Sequence, residues 1–263
     1  MTNLKDSNLA FSSSGNGAPV VLIHGVGLSS ESWQHQVQAL SRRFKVFAVD
    51  LPGHGQTTGV DHQLSMTKLC NWITRFCEHV VQKPCVLVGH SLGALIAIHT
   101  AARNSSSIKG MAALSAVHNR DAKALEAVQN RARQLHVSGS LQHVADAPVT
   151  RWFGDPPPLQ YETMAQQCRQ WLSQNNLAGY ASAYRVFAEE TGPSPSILEK
   201  ILVPALFVTG ALDPNSTPEM SHQMANHCPN SEAVIVNDAK HMLQMTHADE
   251  ISALLTRFVR RCY

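Results

Sequence analysis

Several features that mark other classes of protein are missing from this sequence. Lysine and arginine form no run, and 21 basic against 19 acidic residues leave a net charge of only +2. We therefore expect neither nucleic acid nor an anionic membrane surface as the main partner. No apolar stretch is as long as a membrane span, and the polar segment Met1 to Ser7 has no apolar signal-peptide core. These absences predict a soluble, cytoplasmic protein.

Motifs for metals, nucleotides and redox chemistry are also missing. Histidines and cysteines show neither H-x-x-x-H nor a clustered ligand spacing, and no glycine-rich phosphate loop follows a predicted strand. The six cysteines are scattered without a C-x-x-C pair, which favours reduced, mostly buried thiols. The sequence therefore predicts no metal and no cofactor, and leaves a small molecule as the expected partner. The oligomeric state stays open.

Short apolar runs alternate with helical patterns over most of the chain, whose 44% hydrophobic content is typical of a globular enzyme. The apolar runs predict strands at residues 20–24, 44–50, 85–88, 109–115, 205–209 and 233–236. The helical patterns predict helices at residues 30–40, 65–81, 92–103, 218–227 and 248–261. This alternation predicts an α/β fold with a mostly parallel sheet flanked by helices on both faces.

The alternation breaks between residues 118 and 195, a range that we call the cap segment. It contains no good strand pattern and predicts four helices, at residues 120–136, 141–152, 159–173 and 176–189. We therefore divide the chain into an α/β core of residues 1–117 and 196–263 and a helical cap inserted over the carboxyl ends of the strands. Ligands of open α/β sheets bind at those ends.

A serine stands at a predicted strand-to-helix turn. The sequence Gly89-His90-Ser91-Leu92-Gly93 follows an apolar strand and precedes a helix-forming run. Glycines two residues on each side of Ser91 suit a turn that is too crowded for larger side chains. Such a turn exposes the serine oxygen next to a helix N-terminus, which is typical of a catalytic nucleophile.

A serine hydroxyl needs a base to remove its proton and an acid to orient that base. Asp213 and His241 each follow a predicted strand and lie after Ser91 in the chain, in the order Ser, Asp, His. We therefore predict Ser91, Asp213 and His241 as the catalytic residues. Asp238 is closer to His241 in sequence, and we interpret it as a loop residue.

The same chemistry needs two backbone N–H groups aimed at the developing oxyanion. We predict Leu92, directly after the nucleophile, and Val26, in the glycine-containing loop after the first long strand. The His24 side chain is expected to hold that loop by hydrogen bonds. The run from Asp50 to Gly55 has the residue types of a tight turn.

These motifs together resemble the α/β-hydrolase superfamily in order and spacing. The resemblance is carried by Leu22-Ile23-His24-Gly25-Val26-Gly27, Asp50-Leu51-Pro52-Gly53-His54-Gly55, Gly89-His90-Ser91-Leu92-Gly93, Thr209-Gly210-Ala211-Leu212-Asp213 and Lys240-His241-Met242. It covers the whole chain except the cap segment. Within the superfamily, the chain is most similar to small esterases, the 3-oxoadipate enol-lactonases and the carbon–carbon bond hydrolases of aromatic-ring breakdown. The fold hosts many chemistries, so the motifs specify the substrate weakly.

The cap segment offers candidate substrate contacts. Trp152 and Phe153 form an aromatic pair that could line the pocket, although packing is an equally good interpretation. Five arginines of this segment are candidates, and one could bind a substrate carboxylate, whereas a solvated helix face is the simpler interpretation of each alone. The five are Arg131, Arg133, Arg151, Arg169 and Arg185.

The resulting hypothesis is a serine hydrolase that cleaves a carboxylic ester, a lactone or a related carbonyl compound through an acyl-enzyme. Two alternatives remain open. The same triad could hydrolyse a carbon–carbon bond of a ring-cleavage dienoate. The chain also resembles hydrolase-fold small-molecule receptors, which keep a triad but turn over slowly.

Overall fold

The computed structural model describes residues 9–58, 63–103, 106–138 and 145–263. Seven strands form one sheet in the order β1-β3-β2-β4-β5-β6-β7. The strands are β1 (Phe11–Ser14), β2 (Pro19–Ile23), β3 (Lys45–Val49), β4 (Cys85–His90), β5 (Ile108–Leu114), β6 (Ala205–Gly210) and β7 (Ser231–Val236). Strands β2 to β7 pair in parallel, which confirms the predicted mostly parallel sheet.

The helices lie where the sequence predicted them, with small additions. They are α1 (Gln34–Leu40), α2 (Met66–Phe76), α3 (Leu92–Ala101), α4 (Ala122–Ser138), α5 (Asp146–Phe153), α6 (Glu162–Gln174), α7 (Leu177–Glu189), α8 (Pro195–Leu198), α9 (Pro218–His227), α10 (Leu243–Thr246) and α11 (Ala248–Cys262). A turn of π-helix continues α2 through Val81. None of the described helices is long and apolar enough to cross a membrane.

The sheet separates two apolar clusters. Val21 and Ile23 of β2 face the side that includes α2 and α3, whereas Val20 and Leu22 face the side that includes α1 and α11. Because successive side chains of a strand point to opposite faces, a strand covered on both sides must be apolar throughout. This is why the central strands read as continuous apolar runs.

Strand β1 lies at the edge of the sheet and was not predicted. It runs antiparallel to β3, with Phe11 opposite Val49. Its residues are Phe-Ser-Ser-Ser and all four are exposed, so no apolar pattern marks the strand. Backbone pairing with β3 and the edge-on contact of the Phe11 ring with the Phe76 ring, 5.3 Å between centroids, hold this strand in the sheet.

Helices α4 to α7 fill the stretch between β5 and α8. Helix α4 packs on α7, and α5 packs on α6. In the part of the cap segment that the structure describes, no strand occurs. The helix predicted at 141–152 begins at Asp146, after the described residue Ala145. Residues 141–144 lie outside the described residues, as do residues 1–8.

All six cysteines are free thiols, and five of them are buried. Burial raises the pKa of Cys70 to about 11 and that of Cys262 to about 11. A thiol with so high a pKa carries almost no thiolate at neutral pH, and the thiolate is the nucleophilic form. These cysteines are therefore packing residues rather than nucleophiles.

Candidate active site

Ser91 stands at the apex of a sharp turn between β4 and α3. Its backbone adopts φ 53° and ψ −115°, a region that L-residues rarely occupy. The Ser91 N–H donates to the carbonyl of Leu114 on β5 at 2.8 Å, which fixes the turn to the neighbouring strand. A Cβ at Gly89 would lie 2.0 Å from the Gly93 carbonyl oxygen, and one at Gly93 would lie 2.2 Å from that of Ile23. Only glycine fits at these two positions, as the sequence predicted.

Asp213 and His241 form a buried pair. His241 Nδ1 lies 2.8 Å from Asp213 Oδ2, and their side chains are 4% and 0% exposed. A carboxylate can only accept a hydrogen bond, so Nδ1 carries the proton and donates it. In the neutral ring Nε2 is then free of a proton and available as a base. The loops after β6 and β7 bring these two side chains together.

The Asp213 carboxylate is held ionised by its surroundings. Burial by itself would raise the pKa of Asp213. The charge and hydrogen bond of His241, together with backbone N–H groups of Asn215 and Ser216, outweigh burial and lower that pKa. Both of these N–H groups donate to Oδ1, at 2.9 and 3.1 Å. The acid is therefore charged and fixed in orientation at neutral pH.

The backbone of His241 is tied to the turn that carries Ser91. His90 Nε2 donates to the His241 carbonyl at 2.9 Å, and Ser115 Oγ donates to the same oxygen at 3.3 Å. The rings of His90 and His241 lie 4.9 Å apart, centre to centre. Burial, and next the charge of His241, lower the pKa of His90 to about 3, so His90 is neutral. Sequence reasoning gave His90 no role, since its partner is a backbone oxygen 151 residues away.

The loop after β2 passes directly beside Ser91. A Cβ at Gly25 would lie 3.1 Å from the Ser91 Cβ, and Val26 is the next residue. The His24 ring holds this loop: Nδ1 donates to the Gly25 carbonyl at 2.7 Å, and Nε2 accepts from the Leu51 N–H at 2.9 Å. These bonds agree with the holding role predicted for His24.

Leu92 is the first residue of α3. The first N–H groups of an α-helix have no acceptor within the helix, and they carry the positive end of its dipole. The Leu92 N–H is therefore one of the groups without an acceptor inside α3, and it directly follows Ser91. Its position suits a donor to a negatively charged oxygen.

The Asp50 carboxylate accepts hydrogen bonds from two different loops. Its Oδ1 accepts from the Ser30 N–H at 2.7 Å, and its Oδ2 accepts from the Gln56 N–H at 2.9 Å. The carboxylate thus joins the start of the turn before α1 to the loop after β3. This agrees with the predicted turn role of the run from Asp50 to Gly55.

Cap residues lie against the catalytic candidates. The Trp152 ring stacks on the His241 ring, with centroids 5.9 Å apart and planes 23° from parallel. A Cβ at Gly27 would lie 2.4 Å from Leu172 and 2.9 Å from Tyr180, so α6 and α7 reach the loop after β2. Phe153 is 2% exposed and belongs to the packed core. Of the predicted aromatic pair, the structure therefore brings Trp152 to the candidate site.

Asp238 is the alternative acid in the sequence, three residues before His241. It is exposed and adopts a positive φ of 56°, as expected of a turn residue. Asn and Asp tolerate this conformation better than most residues. Asp213, not Asp238, is the carboxylate bound to His241.

The parallel sheet, the serine turn and the buried Asp–His pair together define the class of protein. A family profile described as alpha/beta hydrolase fold matches residues 18–248. The chain belongs to this family, and it is an α/β-fold hydrolase enzyme.

Relatives and solved structures agree with this placement. The chain is 35% identical over 240 residues to an (E)-2-((N-methylformamido)methylene)succinate hydrolase of Acinetobacter baylyi, covering 90% of this chain and 89% of the relative. It is 26% identical over 268 residues to 3-oxoadipate enol-lactonase 1 of the same organism, covering 99% and 96%. A thermophilic esterase from Thermogutta terrifontis superposes with a TM-score of 0.87 at 25% identity, covering 97% and 93%.

Proposed function

We propose that this protein is a serine hydrolase that cleaves a carboxylic ester, a lactone or a related carbonyl compound. The observation that carries this proposal is the buried Asp213–His241 hydrogen bond beside the strained turn of Ser91. A base whose Nδ1 is fixed by a carboxylate presents Nε2 in the tautomer that can deprotonate a serine.

In the proposed reaction, His241 Nε2 takes the proton of Ser91 as its oxygen attacks the substrate carbonyl. The oxyanion accepts hydrogen bonds from the N–H groups of Val26 and Leu92. His241 then protonates the leaving oxygen, and an acyl group remains on Ser91. A water molecule, deprotonated by His241, attacks this acyl-enzyme, and collapse of the second intermediate restores Ser91. Asp213 stabilises the charged form of His241 in both halves, and no cofactor takes part.

We also propose that residues 118–195 form a cap over this site. The support is the contact of Trp152 with His241 and of Leu172 and Tyr180 with the position of Gly27. A roof of this kind would select the substrate while the triad supplies the chemistry. The names of both Acinetobacter relatives specify derivatives of dicarboxylic acids, one of them a lactone. Those names favour an acyl compound of small size.

The unpaired state of all six cysteines supports a reducing compartment, and we expect the cytoplasm.

The direct test is turnover of p-nitrophenyl acetate by the wild type and by Ser91→Ala. Repeated turnover is expected, and Ser91→Ala should lower kcat by about four to six orders of magnitude, because the triad residues act as a unit. A receptor would release one equivalent of p-nitrophenol and then stall. More than a tenth of the wild-type rate in purified Ser91→Ala would refute the proposed nucleophile.

A further inference from the structure

Among the described residues, two arginines of the cap segment that are near enough to repel one another have no acidic partner. Arg131 is on α4 and Arg151 is on α5, and both are partly buried. Among the residues that the structure describes, no carboxylate is within ion-pair distance of either. Two other cap arginines differ: Arg169 pairs with Asp146, and Arg185 pairs with Glu189, each at 2.8 Å.

The two guanidinium groups interact unfavourably. Burial, followed by the positive charge of Arg131, lowers the pKa of Arg151. Partly buried like charges raise the energy of the folded state unless an anion or a hydrogen-bond acceptor compensates them. A bound anion at this place would therefore relieve both desolvation and repulsion.

Tyrosine side chains connect this pair to the candidate site. Arg131 Nε donates to the Tyr184 hydroxyl at 3.1 Å. The Tyr184 ring lies 5.7 Å from the Tyr180 ring, one turn earlier on α7. Tyr180 is 1% exposed, and it contacts the position of Gly27 in the loop that carries Val26. The arginines are thus linked through α7 to the loop beside Ser91.

A second connection runs through α5. Arg151 directly precedes Trp152, whose ring stacks on His241. Tyr184 accepts a hydrogen bond from Arg131, and both Tyr180 and Tyr184 are near enough to Arg151 to act electrostatically on it. The pair therefore belongs to the roof of the candidate site rather than to a distant surface.

We infer that Arg131 and Arg151, with the Tyr184 hydroxyl, form a subsite for a carboxylate group of the substrate. This inference rests on the proposed function, because it places that carboxylate at the end of the molecule away from the carbonyl that Ser91 attacks. The substrate class is then a monoester or lactone of a dicarboxylic acid. Guanidinium groups suit this task because their planar N–H donors match the two oxygens of a carboxylate.

The test measures binding and needs no turnover. The inactive Ser91→Ala protein is titrated with monomethyl esters of succinic, glutaric and adipic acid and with the matching dimethyl esters. At least one monoester should bind about ten times more tightly than its diester, since charge-assisted hydrogen bonds exceed neutral ones. Arg131→Met or Arg151→Met, added to Ser91→Ala, should lower this preference about tenfold or more.

Arg169→Met is the matched control, because it removes an equal charge from a partly buried arginine of the cap segment that is already paired with Asp146. It should leave the preference for the monoester unchanged. Arg151→Lys keeps the charge but loses the planar N–H fork of arginine. Its preference for the monoester should therefore lie between those of Arg151 and Arg151→Met. This variant also keeps the inference testable if Arg151→Met fails to fold.

The inference is overturned if no monoester is preferred over its diester, or if Arg131→Met and Arg151→Met bind like Arg169→Met. An equal loss in all three variants would indicate a general charge effect and would also overturn it. Failure of the wild type to hydrolyse p-nitrophenyl acetate would instead count against the proposed function, and the binding experiment would be unaffected.

Discussion

Ser91 is held in a conformation that costs about 1–3 kcal/mol for a residue with a side chain. The surrounding contacts impose it: the Ser91 N–H is bound to Leu114, and the flanking glycines allow β4 and α3 to meet. The result is a serine at a helix N-terminus, in a turn that is tied to His241 by the hydrogen bond from His90 to the His241 carbonyl. Backbone strain thus coincides with the proposed nucleophile.

Two aspartate variants distinguish a specific role of Asp213 from a general effect of negative charge near His241. Asp213→Asn should lower kcat on p-nitrophenyl acetate by about three to four orders of magnitude, because the amide can stabilise the wrong tautomer of His241. Binding of substrate should change little. Asp238→Asn is the matched control: it removes the same charge from the neighbouring loop, and asparagine tolerates the positive φ.

The measurement is the steady-state kcat and KM of the two variants on p-nitrophenyl acetate. If Asp238→Asn were the more damaging change, Asp213 would not be the acid that orients the base.

At the residue scale, position in the sequence was sufficient to select the candidate acid and base. Asp213 and His241 each follow an apolar strand, and parallel strands bring their carboxyl ends to one edge. The support given by His90 and Ser115 could not be predicted, because both bind a backbone carbonyl that lies more than a hundred residues away. Every residue has a backbone carbonyl, so the residue type does not indicate which carbonyl accepts a hydrogen bond.

Among the elements, α5 carries the most direct contact between the cap segment and the candidate site. Trp152→Ala should therefore change KM, or the preference among short and long acyl esters, more than it changes the rate on acetate. Trp171→Ala is the matched control, because both tryptophans are cap residues that are 8% exposed. Each variant should lose about 3–5 kcal/mol of stability through the loss of a buried aromatic ring.

The measurements are melting temperature and kcat/KM for a series of p-nitrophenyl esters. Only Trp152→Ala should alter the profile over the series. A shared loss of stability with an unchanged profile in both variants would leave Trp152 as a packing residue.

At the element scale, apolar runs predicted six strands correctly. The seventh strand, β1, has no apolar run and was not predicted. Strand β1 consists mainly of serine and is exposed, so burial contributes no pattern. The cap helices were predicted by their periodicity, but periodicity says nothing about which helix contacts which. The meeting of Arg131 on α4 with Arg151 on α5 depends on that packing and was therefore not predictable.

For the molecule as a whole, buried neutral histidines predict sensitivity to acid. Burial lowers the pKa of His24, and it lowers those of His54 and His90 to about 3. An unfolded histidine takes up its proton near pH 6.5. Between these values the unfolded chain binds more protons than the folded one, so stability is complete above about pH 6.5 and is lost as the pH falls.

His54 and His90 should each contribute a slope of about 1.4 kcal/mol per pH unit near pH 5 to the free energy of unfolding. Urea unfolding at several pH values between 7 and 4.5 measures this slope. His54→Gln should reduce it by the share of one proton. An equal slope in wild type and His54→Gln would show that His54 is not a neutral group in the folded state.

We propose Ser91 as the nucleophile of a metal-free acyl transfer. The most direct measurement is labelling with a fluorophosphonate, followed by mass spectrometry of the peptides. We expect one label per chain, on Ser91, complete loss of ester hydrolysis in step with labelling, and no label on Ser91→Ala. Label on another residue, or full hydrolysis by a protein whose Ser91 is completely labelled, would contradict it.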